Sequence, residues 1–218
     1  LFTFNQVYLN DFCSQCYSLT SIKFSNGYHF PSGVARMFIE CSSLLLVDFS
    51  NFDFGIIEDM QMLFYGCAEL TSIDLSNFDT FSVTNMEYMF YGCSSLTEIN
   101  AEWLTPSLFN IESMFHNCFS LISLDLSIFD TSYVTNMKDL FYNCLKLTSI
   151  DLKNFKTNEV IDMQSMFFGC SSLKSLNLSS FITSKVNNMN SLFYNCMDLI
   201  SLDLSNFNTE KVTKMGHI

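Results

Sequence analysis

Nine cysteines among 218 residues are the first feature with chemical potential. Eight fall at positions 16, 41, 67, 93, 118, 144, 170 and 196. The ninth completes Cys13-Ser14-Gln15-Cys16, a C-x-x-C spacing used by redox dithiols and zinc sites. Zinc needs four ligands, and no second C-x-x-C or nearby histidine completes the set. Cys16 also belongs to the periodic series, so the pair reads as structural. His29, His116 and His217 occupy non-equivalent places, and none is paired with a serine or cysteine as a nucleophile–base couple. A glycine-rich phosphate loop is missing as well. The chemistry-bearing residues therefore point away from an enzyme, a cofactor or a metal site.

The regularity of the cysteines points instead to architecture. Their steps are 25, 26, 26, 25, 26, 26 and 26 residues. A fixed period in this range marks stacked repeats. The unit is clearest in Cys67 to Cys93, CAELTSIDLSNFDTFSVTNMEYMFYGC. It carries two hydrophobic periods. Ile73-Asp74-Leu75-Ser76 and its copies Leu124-Asp125-Leu126-Ser127 and Leu202-Asp203-Leu204-Ser205 alternate, which predicts a strand with one buried face. Val83, Met86, Met89, Phe90 and Cys93 are spaced 3, 3, 1 and 3, which predicts an apolar stripe on a short helix. Gly66, Gly92, Asn117, Asn143, Gly169 and Asn195 precede a cysteine, and both residue types tolerate the left-handed backbone that ends a helix. Thr80, Thr131, Thr157, Thr183 and Thr209 lie three residues before the helical valine and read as N-caps or turn residues.

One unit is too small to bury its own apolar faces, but stacked units share a continuous core. The predicted fold is an α/β solenoid with one short strand and one short helix per 25–26-residue repeat. Residues 1–15 form a degenerate repeat or cap, residues 16–196 seven tandem repeats, and residues 197–218 a partial repeat of an array expected to be truncated.

Composition narrows the partners. Apolar residues make up 49% of the chain, which excludes a disordered polymer. A net charge of −12 argues against nucleic acid and against an anionic membrane surface. No apolar run reaches the ~20 residues of a membrane helix, so direct membrane insertion is not expected. Charge is uneven: residues 1–118 hold two cations against 13 acids, and residues 119–218 hold eight lysines against nine acids.

Leu70-Thr71-Ser72-Ile73-Asp74-Leu75 matches the leucine-rich-repeat strand signature L-x-x-[IL]-x-L. With DLSNFDT, VTNM and MFYGC, the 26-residue unit resembles the BspA-like leucine-rich-repeat surface proteins, in particular their bacterial branch. The resemblance runs from about Cys16 to Met215. It implies a curved, leucine-rich-repeat-like solenoid with the strands on its concave face, and a non-enzymatic adhesion module at a cell surface that binds a protein or glycan. The alternative is a structural spacer or self-associating scaffold, extracellular or intracellular, with end-to-end contacts between copies.

The binding residues expected on the strand face are Asp48, Asp74, Asn100, Asp125, Asp151, Asn177 and Asp203, flanked by serines. The one-residue-short repeat adds Glu98, Glu102 and Trp103; the tryptophan is either the candidate for a specific contact or, after the deletion, the occupant of the repeat's Phe slot. One carboxylate per rung falls short of the six to eight oxygens that Ca²⁺ prefers, so no calcium site is expected. Asn177-Leu178-Ser179 matches a glycosylation sequon placed on a predicted strand.

Overall fold

Alternation around each Leu/Ile-Asp-Leu places a strand at the same point of successive rungs. The computed structural model describes residues 9–24, 29–30, 33–50 and 52–218. Its strands are β1 (Ser21–Lys23), β2 (His29–Phe30), β3 (Leu46–Asp48), β4 (Asp53–Phe54), β5 (Ser72–Asp74) and β6 (Glu98–Asn100). They pair in parallel, β1 with β3, β2 with β4 and β5 with β6. The register is one repeat long: Ile22 faces Val47, and Ile73 faces Ile99. In β5 the middle residue is buried and both flanks are exposed, as the alternation requires.

The strand expected in every repeat stops at Asn100 among the described residues. Beyond it the strand face carries only isolated contacts, such as Thr148 N–H to the Ile122 carbonyl (3.2 Å) and a Ser175–Ser201 bridge. The unbroken parallel seam lies elsewhere in the repeat. It runs Asp59, Asn85, Asn110, Asn136, Asp162, Asn188, Lys214.

The expected helix is a second correction: the described residues contain none. The segment before each cysteine is a chain of overlapping β-turns. Met89, Tyr91 and Cys93 each donate an N–H to the carbonyl three residues back, at 3.1–3.2 Å. Alternate residues donate across the stack instead: Met86 to Asn110, Tyr88 to Glu112, Phe90 to Met114 and Gly92 to His116, at 2.8–3.0 Å. Tyr88 (φ 54°) and Gly92 (φ 73°) sit at the third position of two of these turns, where a type II turn needs positive φ. These left-handed residues interrupt any helical i→i−4 ladder, and every second N–H is used along the array axis. Turns whose ends lie three residues apart bury the same positions as a helix would, so Val83, Met86, Met89, Phe90 and Cys93 are all buried. The left-handed conformation expected before the cysteines is present at all six Gly and Asn positions.

Residues 9–16 share this design, with positive φ at Asp11 and Gln15 and inter-rung bonds from Cys13 to Met37 and Gln15 to Ile39. Residues 1–8, and Ser25 beside the strand face, lie outside the described residues. The core is a set of ladders. Phe38, Phe64, Phe90, Phe115, Phe141, Phe167 and Phe193 stack face to face, with centroids 5.5–5.8 Å apart. Leu44, Leu70, Leu96, Leu121, Leu147 and Leu173 form a second, fully buried column.

Candidate functional site

The strand face displays one Asp or Asn per rung, and the fold uses each of them. The Oδ1 of Asp48, Asp74, Asp125, Asp151, Asn177 and Asp203 accepts the backbone N–H two residues on, at 2.9–3.0 Å. Each therefore closes an Asx turn that ends the strand segment. The sequon residue Asn177 is accordingly in a turn rather than on a strand. This turn leaves the second oxygen unused. In Asp48 it meets Lys23 Nζ at 2.7 Å, and in Asp151 it meets Lys153 Nζ at 2.8 Å. Asn100 donates from Nδ2 to Asp74 Oδ1 at 3.0 Å, so the break in the acidic run is a hydrogen-bonded link.

These bonds shift the acids. Lys23 and then Ser50 hold the Asp48 carboxyl well below the usual range. Hydrogen bonds from Ser76, Ser127 and Ser205 lower Asp74, Asp125 and Asp203, and Lys153 lowers Asp151. The stripe is ionised at neutral pH. Asp74, Asn100, Asp125, Asp151, Asn177, Asp203, Glu98 and Glu102 are exposed and Asp48 is half-buried. These nine remain available to a partner.

Trp103 does not, which corrects its placement among the binding residues and bears out the Phe-slot alternative. It is 2% exposed and packs edge-on to Phe129, with centroids 6.0 Å apart. The one-residue deletion shifts the tryptophan into the column occupied by Phe78, Phe129 and Phe155, where an indole fills the phenyl slot.

The threonines are not helix caps, since there is no helix to cap. Thr131 Oγ1 donates to the Lys156 carbonyl (2.9 Å) and accepts the Lys156 N–H (2.8 Å). Thr157 does the same with Ile182, and Thr183 with Asn208. These buried hydroxyls stitch each rung to the next.

The sequence reading also passed over the Asn of VTNM. Asp59, Asn85, Asn110, Asn136, Asp162 and Asn188 repeat the Asx turn at the continuous seam. The repeated Asn or Asp two residues after the buried Val, or after Ile57 and Leu108, was the available signal.

The cysteine column is hydrogen-bonded as well as packed. The thiols of Cys67, Cys93, Cys118, Cys144, Cys170 and Cys196 donate to carbonyls of the preceding rung at 3.1–3.3 Å. Cys13, Cys41, Cys67, Cys93, Cys118, Cys144 and Cys170 are buried, Cys196 is half-buried and Cys16 is exposed; all nine are unbridged. Burial raises the thiol pKa of Cys13 and Cys196 to about 11 and of Cys93 and Cys144 well above the ordinary value.

His116 lies in a stacked surface column, with ring centroids 4.4 Å from Tyr91 and 4.3 Å from Tyr142. Burial, then Lys138, pushes its pKa down to about 4, and its Nδ1 has no hydrogen-bond partner. No three His, Cys, Asp or Glu side chains converge to hold a metal among the described residues. No helix there is long and apolar enough to cross a membrane.

A family model described as "Mycoplasma protein of unknown function, DUF285" matches residues 32–127 and again 120–218. Among solved structures, a leucine-rich repeat protein from Bacteroides ovatus is 25% identical with a TM-score of 0.36, over 80% of this chain and 50% of that one. The chain thus spans half the length of that relative. A leucine rich cell surface protein from Faecalibacterium prausnitzii is 16% identical with a TM-score of 0.39, over 95% of this chain and 79% of that one. A comparison with curated proteins finds no match.

Proposed function

Because the chain belongs to the DUF285 family, we propose that it is a non-enzymatic binding module that recognises a protein or glycan through its repeat surface, displayed at a cell surface. Its resemblance to BspA-like leucine-rich-repeat surface proteins supports the same reading. The observation that carries it is the strand face. From Asp48 to Asp203, most rungs present an Asp or Asn whose Oδ1 is fixed in an Asx turn. A polar array already ordered by the fold gives up little side-chain freedom on binding. Its charge suits a basic or hydroxyl-rich ligand.

Asp→Asn changes at Asp74, Asp125 and Asp151 test this. Asparagine keeps the Oδ1 acceptor, as Asn177 does, while removing the charge and putting an amide donor in place of Oδ2. Attachment of the protein to cells or matrix should fall at least about tenfold in the triple variant, or ~1.4 kcal/mol. Unchanged attachment would sink the strand-face reading.

A further inference from the structure

In a repeat array, side chains that depart from the repeat and meet in one place are those the fold does not demand. Three consecutive rungs do this in the turn after the strand segment. The default turn is Ser76-Asn77-Phe78-Asp79. The corresponding stretches are Ser127-Ile128-Phe129-Asp130, then Lys153-Asn154-Phe155-Lys156, then Ser179-Ser180-Phe181-Ile182. The phenylalanines keep their buried column. The departures Ile128, Lys153, Lys156 and Ile182 converge on one open groove of about 530 Å³, whose wall also holds Asp130 and Ser180. That volume lies within the range of ligand sites.

The chemistry of the groove differs from the rest of the molecule. Lys for Ser at 153 and Lys for Asp at 156 change the local charge by one plus two, three units toward positive, in a chain of net charge −12. Lys153 Nζ lies 2.8 Å from Asp151, and Lys156 Nζ lies 3.4 Å from Asp130 and 2.9 Å from Ser132 Oγ. Both ion pairs are solvent-exposed, and such pairs contribute little, so an incoming carboxylate displaces them at small cost. Ile128 and Ile182 are 53% and 45% exposed where the default turn places Asn and Asp. Branched aliphatic side chains suit other aliphatic side chains and offer no flat aromatic face for a sugar ring.

We propose that this groove binds an acidic peptide segment carrying aliphatic side chains. The proposal rests on the reading of the protein as a binding module but uses residues outside the Asp stripe.

The test titrates the ¹⁵N-labelled chain with acetyl-(Glu-Leu)₃-amide and follows amide shifts by NMR. The expected result is perturbation confined to residues around Ile128, Lys153, Lys156 and Ile182. Binding should weaken about tenfold or more in the double variant Lys153→Ser, Lys156→Asp. That variant restores residues which sister rungs already carry, so it keeps the fold, and an unchanged amide spectrum elsewhere checks this. Several outcomes overturn the proposal: no perturbation, equal binding by the variant, equal binding of a hexaglutamate, or tighter binding of an oligogalacturonate. Attachment lost in an Asp74→Asn, Asp125→Asn variant, which leaves the Asp151–Lys153 pair intact, but kept in the double variant would separate the strand-face reading from this one.

Discussion

The thiol of Cys93 donates to the carbonyl oxygen of Phe64 at 3.1 Å, and the same oxygen accepts the N–H of Cys67 at 3.1 Å. Two rungs thus share one acceptor, and the pattern recurs with Cys118 on Phe90 and Cys144 on Phe115. Cys93→Ala should cost about 1–3 kcal/mol, combining a lost hydrogen bond with a small cavity. Burial and raised pKa leave little thiolate in the column, and thiolate is the reactive form. A thiol reagent on the native protein should label Cys16 first and Cys196 slowly. Rapid labelling of Cys93 or Cys144 would contradict the buried column.

Gly92 and Gly169 both adopt positive φ, 73° and 70°, but in different surroundings. A Cβ at Gly92 would lie 3.7 Å from Gly66 Cα, an ordinary contact, whereas one at Gly169 would collide with Asn143 Oδ1. Gly92→Asn should therefore be nearly neutral, and Gly169→Asn should cost little more, because the Asn143 amide end can turn away. Gly92→Val adds the left-handed penalty of a β-branched residue and should cost about 1–2 kcal/mol more than Gly92→Asn. Denaturant melts of the three variants decide the ranking.

Thr131→Val keeps the shape of a buried side chain and deletes two bonds to Lys156. Because the Lys156 N–H loses its partner, the expected cost is about 1–3 kcal/mol, with most of it restored by Thr131→Ser. If the valine and serine variants unfold at the same denaturant concentration, the stitching role is wrong.

His116 predicts a pH dependence. Its folded pKa of about 4 lies below the ordinary histidine value of 6.5, so the unfolded chain binds the proton more readily. The contribution to stability is complete above pH 6.5 and is lost as pH falls toward 4. The full shift is discounted because the ring is partly exposed, which leaves about 1–2 kcal/mol. Tyr occupies this column in neighbouring rungs, so His116→Tyr should fold and flatten the stability profile between pH 6.5 and 4. Asp139, whose pKa burial raises, works in the opposite sense at the acid end, and the difference between wild type and variant removes it.

Much of the protein was legible from spacing. The 25–26-residue steps between cysteines located the rungs, and the alternation at Ile73-Asp74-Leu75 located buried and exposed positions. Gly or Asn before each cysteine announced a left-handed residue. The helix was misread because a 3-3-1-3 spacing is shared by a helix and by three overlapping turns. The signal that separates them is a second left-handed residue, held by Met62, Tyr88, Ser113, Asp139, Ser165 and Ser191. These types carry no common preference for that conformation, so inter-rung hydrogen bonding imposes it.

The candidate site divides in the same way. Exposure of Asp74, Asp125 and Asp151 followed from the strand period, but their Asx turns depend on where the chain bends after the strand. Trp103 was open to two readings, a contact residue or a filler of the Phe slot after the deletion; its burial against Phe129 selects the second. The Lys153–Lys156 groove was invisible for a related reason, since its walls come from residues 25–27 positions apart. By itself the sequence determined the period, the buried columns and the acidic face, because these depend on which residues recur. The tertiary structure decided whether a backbone N–H bonds within its own rung or across to the next. That choice depends on the distance between stacked chains, which residue spacing does not encode.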